Sequence, residues 1–163
     1  TRLRRDWSSD VCSSDLGETS FLDEALKNAE FIVSTQLRED GGLNHSYKKG
    51  RSTINGYLED YAFVIEGFIA LYQSTFDEKW LTYSRELMDY SITHFFDESS
   101  GMFYFTSDID PPLVDRTMEL NDNVIPASNS AIAKSLYMLG HYYYRSEERR
   151  VGKECRSRWA AYH

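Results

Sequence analysis

Four stretches of this 163-residue chain carry apolar residues at three- and four-residue steps, and that period commits most of it to amphipathic helices packed on one another. In the first, Leu22, Ala25, Ala29, Ile32, Val33 and Leu37 follow a Ser20/Asp23 pair that resembles a capping box, which predicts a helix over about 20–37. Asp40-Gly41-Gly42 stops it, and the turn signals Lys48-Lys49-Gly50 and Asn55-Gly56 predict a loop or small hairpin over 43–56. A second helix, Leu58 to Thr75, keeps the period through Leu58, Tyr61, Ala62, Ile65, Phe68, Ile69 and Tyr72. Phe63, Val64, Ala70 and Leu71 add apolar residues on other faces, so burial on more than one side is expected. Asp77 caps a third helix over about 78–96, with Leu81, Ser84, Leu87, Met88, Ser91, Ile92 and Phe95 toward a core and Lys79, Arg85, Glu86 and Asp89 toward water, as on an outer helix. Ser100-Gly101, the aromatic run at 102–106 and Pro111-Pro112 put strand-like pieces and a long loop over 97–125. Pro126 and Ser128 announce a fourth helix over about 127–144, with Ile132, Ala133, Leu136, Tyr137 and Leu139 on its period.

The two halves echo each other. LREDGGLNHSY ends the first helix as FDESSGMFYFT ends the third, and YAFVIEGFIALY and NSAIAKSLYMLG open the helices that follow. Setting Gly42 on Gly101 gives an offset of 59 residues, and setting Leu71 on Leu139 gives 68. A unit of helix, glycine-turned extended loop and helix recurring at about 60 residues suits a ring of helical hairpins. Two units do not close a ring, and amphipathic helices also resemble one another by chance.

The flanks follow neither period. WSSDVCSSDL at Trp7 to Leu16 and RSEERRVGKEC at Arg145 to Cys155 resemble in-frame translations of the adapter DNA ligated to fragments for sequencing. The reading is therefore that 1–16 and 145–163 are non-native flanks and that 17–144 is one partial domain, an internal piece of a longer protein. Both cysteines, Cys12 and Cys155, then fall in the flanks, with no CxxC and no His at metal spacing, so no disulfide framework and no metal site are expected. A genuine basic tail at 145–158 is the alternative.

The chain carries 18 basic and 26 acidic residues, net −8. With the nine basic and six acidic residues of the flanks set aside, nine and 20 remain, net −11. That sign opposes a sequence-independent grip on nucleic acid or an anionic membrane and favours neutral or cationic partners. No apolar run approaches the roughly 20 residues of a membrane span, and no signal peptide is legible. No GxSxG, P-loop, HExxH or GxGxxG pattern occurs, so serine-hydrolase, nucleotide and zinc-protease readings have no support and no cofactor is expected.

Taken in order and at their separations, GYLEDYAFVIEGFIALYQSTFDEKWL, GMFYFTSD and DNVIPASNS resemble the thioredoxin-domain-containing proteins of the spermatogenesis-associated type and their bacterial YyaL-like relatives. The resemblance covers essentially all of 17–144. It implies an all-α fold: helical hairpins of an incomplete six-hairpin (α/α) toroid with short β-hairpin loops, following an N-terminal thioredoxin-like domain that is not in this segment. It further implies a cytoplasmic protein, and likeness to the toroids of N-acylglucosamine 2-epimerases and several glycoside hydrolases. The family often reads PSGNS where this chain has Pro126-Ala127-Ser128-Asn129-Ser130, which puts a glycine-dependent tight turn in question.

The candidate chemistry sits at the loops before the second and fourth helices. Glu59 and Asp60 open the second helix, where carboxylates can serve as acid and base on a sugar. Acidic residues in a first turn also complement the helix dipole with no chemistry at all. Neighbours on a helix point about 100° apart, so the two do not form one catalytic pair, and Asp60, which matches the acidic residue of the family block, leads. Asp122 is the second carboxylate, delivered by the other unit, with Asn129 beside it as a donor to a hydroxyl. Asp122 and Asn123 are equally ordinary turn formers. His45, Arg51, Tyr57 and Tyr61 complete the expected substrate-binding set, and Arg116 and Glu119 are read as a pair across the long loop. The expected ligand is a carbohydrate-like small molecule held in an acidic, aromatic-lined funnel, with epimerase- or glycosidase-like chemistry in the full-length protein and the isolated segment inactive. The alternative is a non-catalytic scaffold whose partners are the thioredoxin-like domain and the remaining hairpins.

Overall fold

A computed structural model describes residues 19–48, 50–52, 54–111, 116–122 and 124–143. Both flanks and both cysteines lie outside the described residues. The chain is mostly helical: α1 (Thr19–Thr35), α2 (Leu58–Thr75), α3 (Glu78–Phe95) and α4 (Ser128–Tyr143), with two antiparallel two-stranded hairpins, β1 (Tyr47–Lys48) with β2 (Arg51–Ser52) and β3 (Phe96–Asp97) with β4 (Met102–Phe103).

Local chemistry sets the ends. Ser20 lies inside α1 rather than at a cap. The helix stops two residues short of Leu37, because Gln36 and Leu37 both donate to the Ile32 carbonyl and Leu37 then bridges to Leu43. Gly41 turns the chain at φ +85°, a conformation that glycine adopts without strain. α2 ends on Phe76 in the left-handed region at φ 57°, its N–H on the Tyr72 carbonyl. Asp77 caps α3 as expected, accepting from the Lys79 N–H at 3.1 Å.

α2 is the central helix and packs against α1, α3 and α4. Leu58, Tyr61, Ala62, Ile65, Phe68, Ile69 and Leu71 are buried along it. Its Tyr61 stacks on Tyr90, and Phe68 meets Trp80, so α3 runs opposite to it. Lys134 reaches Glu66 at 2.6 Å and Gln73 donates to the Tyr142 hydroxyl at 2.8 Å, so α4 runs in the same sense as α2. Four expected core positions change sides, and Ala133 is one of them, exposed on α4. Ile92 is 40% exposed, and on α4 Leu136 and Tyr137 face water at 42% and 69% while Ala131, Ile132, Ser135 and Leu139 are buried. The small Ser84 and Ser91 let α3 approach closely, and each hydroxyl bonds the carbonyl four residues back at 2.8 Å, so neither is a polar orphan. Among the described residues no helix is long and apolar enough to cross a membrane.

Candidate functional site

The start of α2 gathers both loop systems. Tyr57 is extended (φ −84°, ψ 163°), and its N–H donates to Asp60 Oδ2 at 2.9 Å, half of a capping box. The same carboxylate oxygen lies 2.8 Å from His45 Nδ1. His45 is itself fixed, its N–H on the Ile54 carbonyl at 2.8 Å. The second loop enters through Phe105: its carbonyl accepts from the Leu58 N–H at 3.0 Å, and its ring stacks on Tyr57 with centroids 5.0 Å apart and planes 13° from parallel. The His45 ring stands edge-on to Tyr57 at 5.0 Å. One histidine, two flat rings and a carboxylate thus share one end of the molecule.

Glu59 adds a carboxyl whose pKa is pushed up, by burial first and then by the negative charges of Asp60 and Glu119. Glu119 comes from the second loop, so the Glu59 carboxyl feels groups from both halves of the chain. The expected Arg116–Glu119 pair is replaced by separate partners. Arg116 donates to the carbonyls of Thr106 and His94 and lies 4.2 Å over the Tyr104 ring, while Glu119 accepts from the Ser128 N–H at 3.1 Å. A guanidinium with two carbonyls and a ring face already in reach gains nothing from crossing the loop.

Other expected site residues occupy structural positions. Asn129 is buried, and its amide is taken up by the Phe103 N–H, the Phe103 carbonyl and the Glu119 carbonyl, which removes it as a donor to a ligand hydroxyl. Tyr61 is fully buried and accepts from the Leu43 N–H at 2.8 Å; burial raises its pKa, and it forms the wall behind the loop rather than its surface. Asp122 accepts from the Ala127 N–H at 2.8 Å, and this bond followed by one from Ser130 holds its pKa down, so it caps α4 from the surface. Arg51 is exposed on β2 opposite Lys48. Asp60, Glu59, His45 and Tyr57 are therefore brought together, Glu119 joins them unexpectedly, and Asp122 and Asn129 build the neighbouring helix start. The pairing of His45 with Asp60 spans 15 residues and a turn, and no sequence signal marks it. Among the described residues no group of three or more His, Cys, Asp or Glu side chains stands close enough to hold a metal ion.

A mostly helical chain with an acidic, aromatic loop end is thus the class at hand. No family model matches it. It is similar to the spermatogenesis-associated protein 20 of Rattus norvegicus, 30% identical over 142 residues that cover 79% of this chain and 18% of that protein. The Homo sapiens protein of the same name is 32% identical over 139 residues, again 79% of this chain and 18% of the other. An uncharacterized protein of Caenorhabditis elegans is 29% identical over 146 residues, 85% of this chain and 20% of its own length. The similarity supports a place in the spermatogenesis-associated family. The chain spans about a fifth of the length of the curated relatives it matches.

Proposed function

We propose that this chain is a sector of a toroid of helical hairpins whose loop end binds a carbohydrate-like neutral ligand. The observation that carries the reading is the junction of the two loop systems at the start of α2, where Tyr57 and Phe105 stack and Asp60, His45 and Glu59 stand beside them. Flat rings offer faces to the C–H surface of a sugar, and carboxylates accept from its hydroxyls. Within this reading Glu59, kept protonated to higher pH, is the acid. Asp60 is the fixed carboxylate, Arg51 and Tyr57 line the approach, and Asp122 contributes through the helix it caps. The parallel pairing of α2 with α4 and the antiparallel packing of α3 support hairpins repeated side by side. Further hairpins and a thioredoxin-like domain are the partners, in a cytoplasmic protein.

A second reading has its own support. Asn129, Tyr61 and Asp122 spend their polar atoms on backbone amides and carbonyls, as they would in a scaffold with no chemistry. Calorimetric titration of the full-length parent protein with neutral mono- and oligosaccharides separates the two. Saturable heat that Asp60→Asn abolishes is the expected result; a folded protein that takes up no sugar leaves the scaffold reading standing.

A further inference from the structure

We infer that His45 is a proton-accepting site of this loop end, with Asp60 as its positioning residue and a neutral ligand hydroxyl as the proton donor. An ionised carboxylate only accepts, so the 2.8 Å contact between Asp60 Oδ2 and His45 Nδ1 places the ring proton on Nδ1. In the neutral ring Nε2 then keeps its lone pair, the arrangement that makes an imidazole a base. Asp60 is held in place by the Tyr57 N–H on the same oxygen, and the His45 backbone by the Ile54 carbonyl. The His45 side chain is 37% exposed, so a fixed base remains reachable.

His94 supplies the contrast within the same molecule. Its Nδ1 lies at the same 2.8 Å from Asp108 Oδ1, but Tyr90 covers its ring at 4.3 Å and its side chain is 24% exposed. The bond is shared by both pairs, whereas access, the helix-start amide and the neighbouring Tyr57–Phe105 stack belong to His45. In the step itself the hydroxyl proton passes to Nε2, the O–H electron pair stays on the ligand oxygen, and Asp60 stabilises the imidazolium formed. The acidic residues around it disfavour an anionic donor and are compatible with a neutral hydroxyl. Its identity as a sugar hydroxyl rests on the function proposed above.

The test uses the whole chain. Long-range proton–nitrogen spectra at about pH 8, above the ordinary imidazole range, are expected to show His45 protonated on Nδ1 in the wild type and redistributed toward Nε2 in Asp60→Ala, which removes the oxygen shared by the His45 ring and the Tyr57 N–H. Carbethoxylation by diethyl pyrocarbonate, located by mass spectrometry, should be faster at His45 than at His94 and slowed about tenfold by Asp60→Asn. The asparagine introduced by Asp60→Asn retains a carbonyl for the Tyr57 N–H, so helicity should hold, and His45→Gln identifies the modified site independently. An Nε2-protonated His45 in the wild type, or equal reaction rates with and without Asp60, overturns the inference. Methyl α-glucoside added to the same sample should shift the His45 Nε2 resonance. If the tautomer and reactivity are as expected and the glucoside shifts nothing, this segment by itself holds no sugar and the titration of the full-length protein decides the sugar reading, while the assignment of the base stands.

Discussion

Single side chains here are judged by what they would leave behind. Truncating Asn129 to alanine strands the Phe103 N–H and carbonyl in a buried place and releases the part-buried Glu119 carbonyl, and the expected loss is about 2 kcal/mol in urea unfolding. Glu59 acts in the opposite direction. Its raised pKa means the folded state resists its ionisation, so the penalty is absent below the ordinary carboxyl range and complete once pH has risen past the raised value. Glu59→Gln should therefore raise the melting temperature at neutral pH and leave it unchanged near pH 3, as thermal unfolding across pH would show. Asp122 has the reverse sign: its lowered pKa contributes stability above the ordinary carboxylate value that is lost as pH falls through the lowered one. At this scale the sequence was partly opaque. Asp60 and His45 were each visible as candidates, but their contact depends on how the 36–56 loop folds back over the start of α2, and local pattern carries no record of that.

Elements were far more legible, because helices are written in short-range periodicity. The expected bounds of α2 match the observed Leu58–Thr75, and Asp77 caps α3 as its side chain dictates. Where the buried face departs from the periodic one, a tertiary contact chose it. α4 presents Ala131, Ser135 and Leu139 inward and turns Leu136 and Tyr137 out, although leucine and tyrosine are the more apolar-looking choices. The junction between α2 and α3 makes a sharp test. Phe76 is 77% exposed and held at φ 57°, where a Cβ is strained, so Phe76→Gly should stabilise the chain by about 1 kcal/mol despite the loss of a large side chain. Asp77→Ala beside it should cost about 1 kcal/mol through the lost cap. Chemical denaturation of the two variants measures both.

For the whole molecule, the exposed apolar side chains matter most. Phe63 on α2, Leu136 and Tyr137 on α4, and Leu120, Val124 and Ile125 in the loop before α4 all stand in water. Scattered apolar exposure is ordinary, but a contiguous patch beyond a few hundred Å² marks a surface that expects cover. The chain alone should bind 8-anilinonaphthalene-1-sulfonate strongly and melt over a broad range; weak dye binding with a sharp two-state transition would contradict this. The side-by-side, same-sense course of α2 and α4 has its own electrical consequence. Two positive helix ends lie near one another and push apart, and the carboxylates of Glu59, Asp60, Glu119 and Asp122 supply a shared negative layer that turns this repulsion into cohesion. Concentrated salt, by shielding that layer, should loosen the loop end first and leave the opposite end, tied by Gln73 and the Tyr72–Tyr142 rings, almost indifferent.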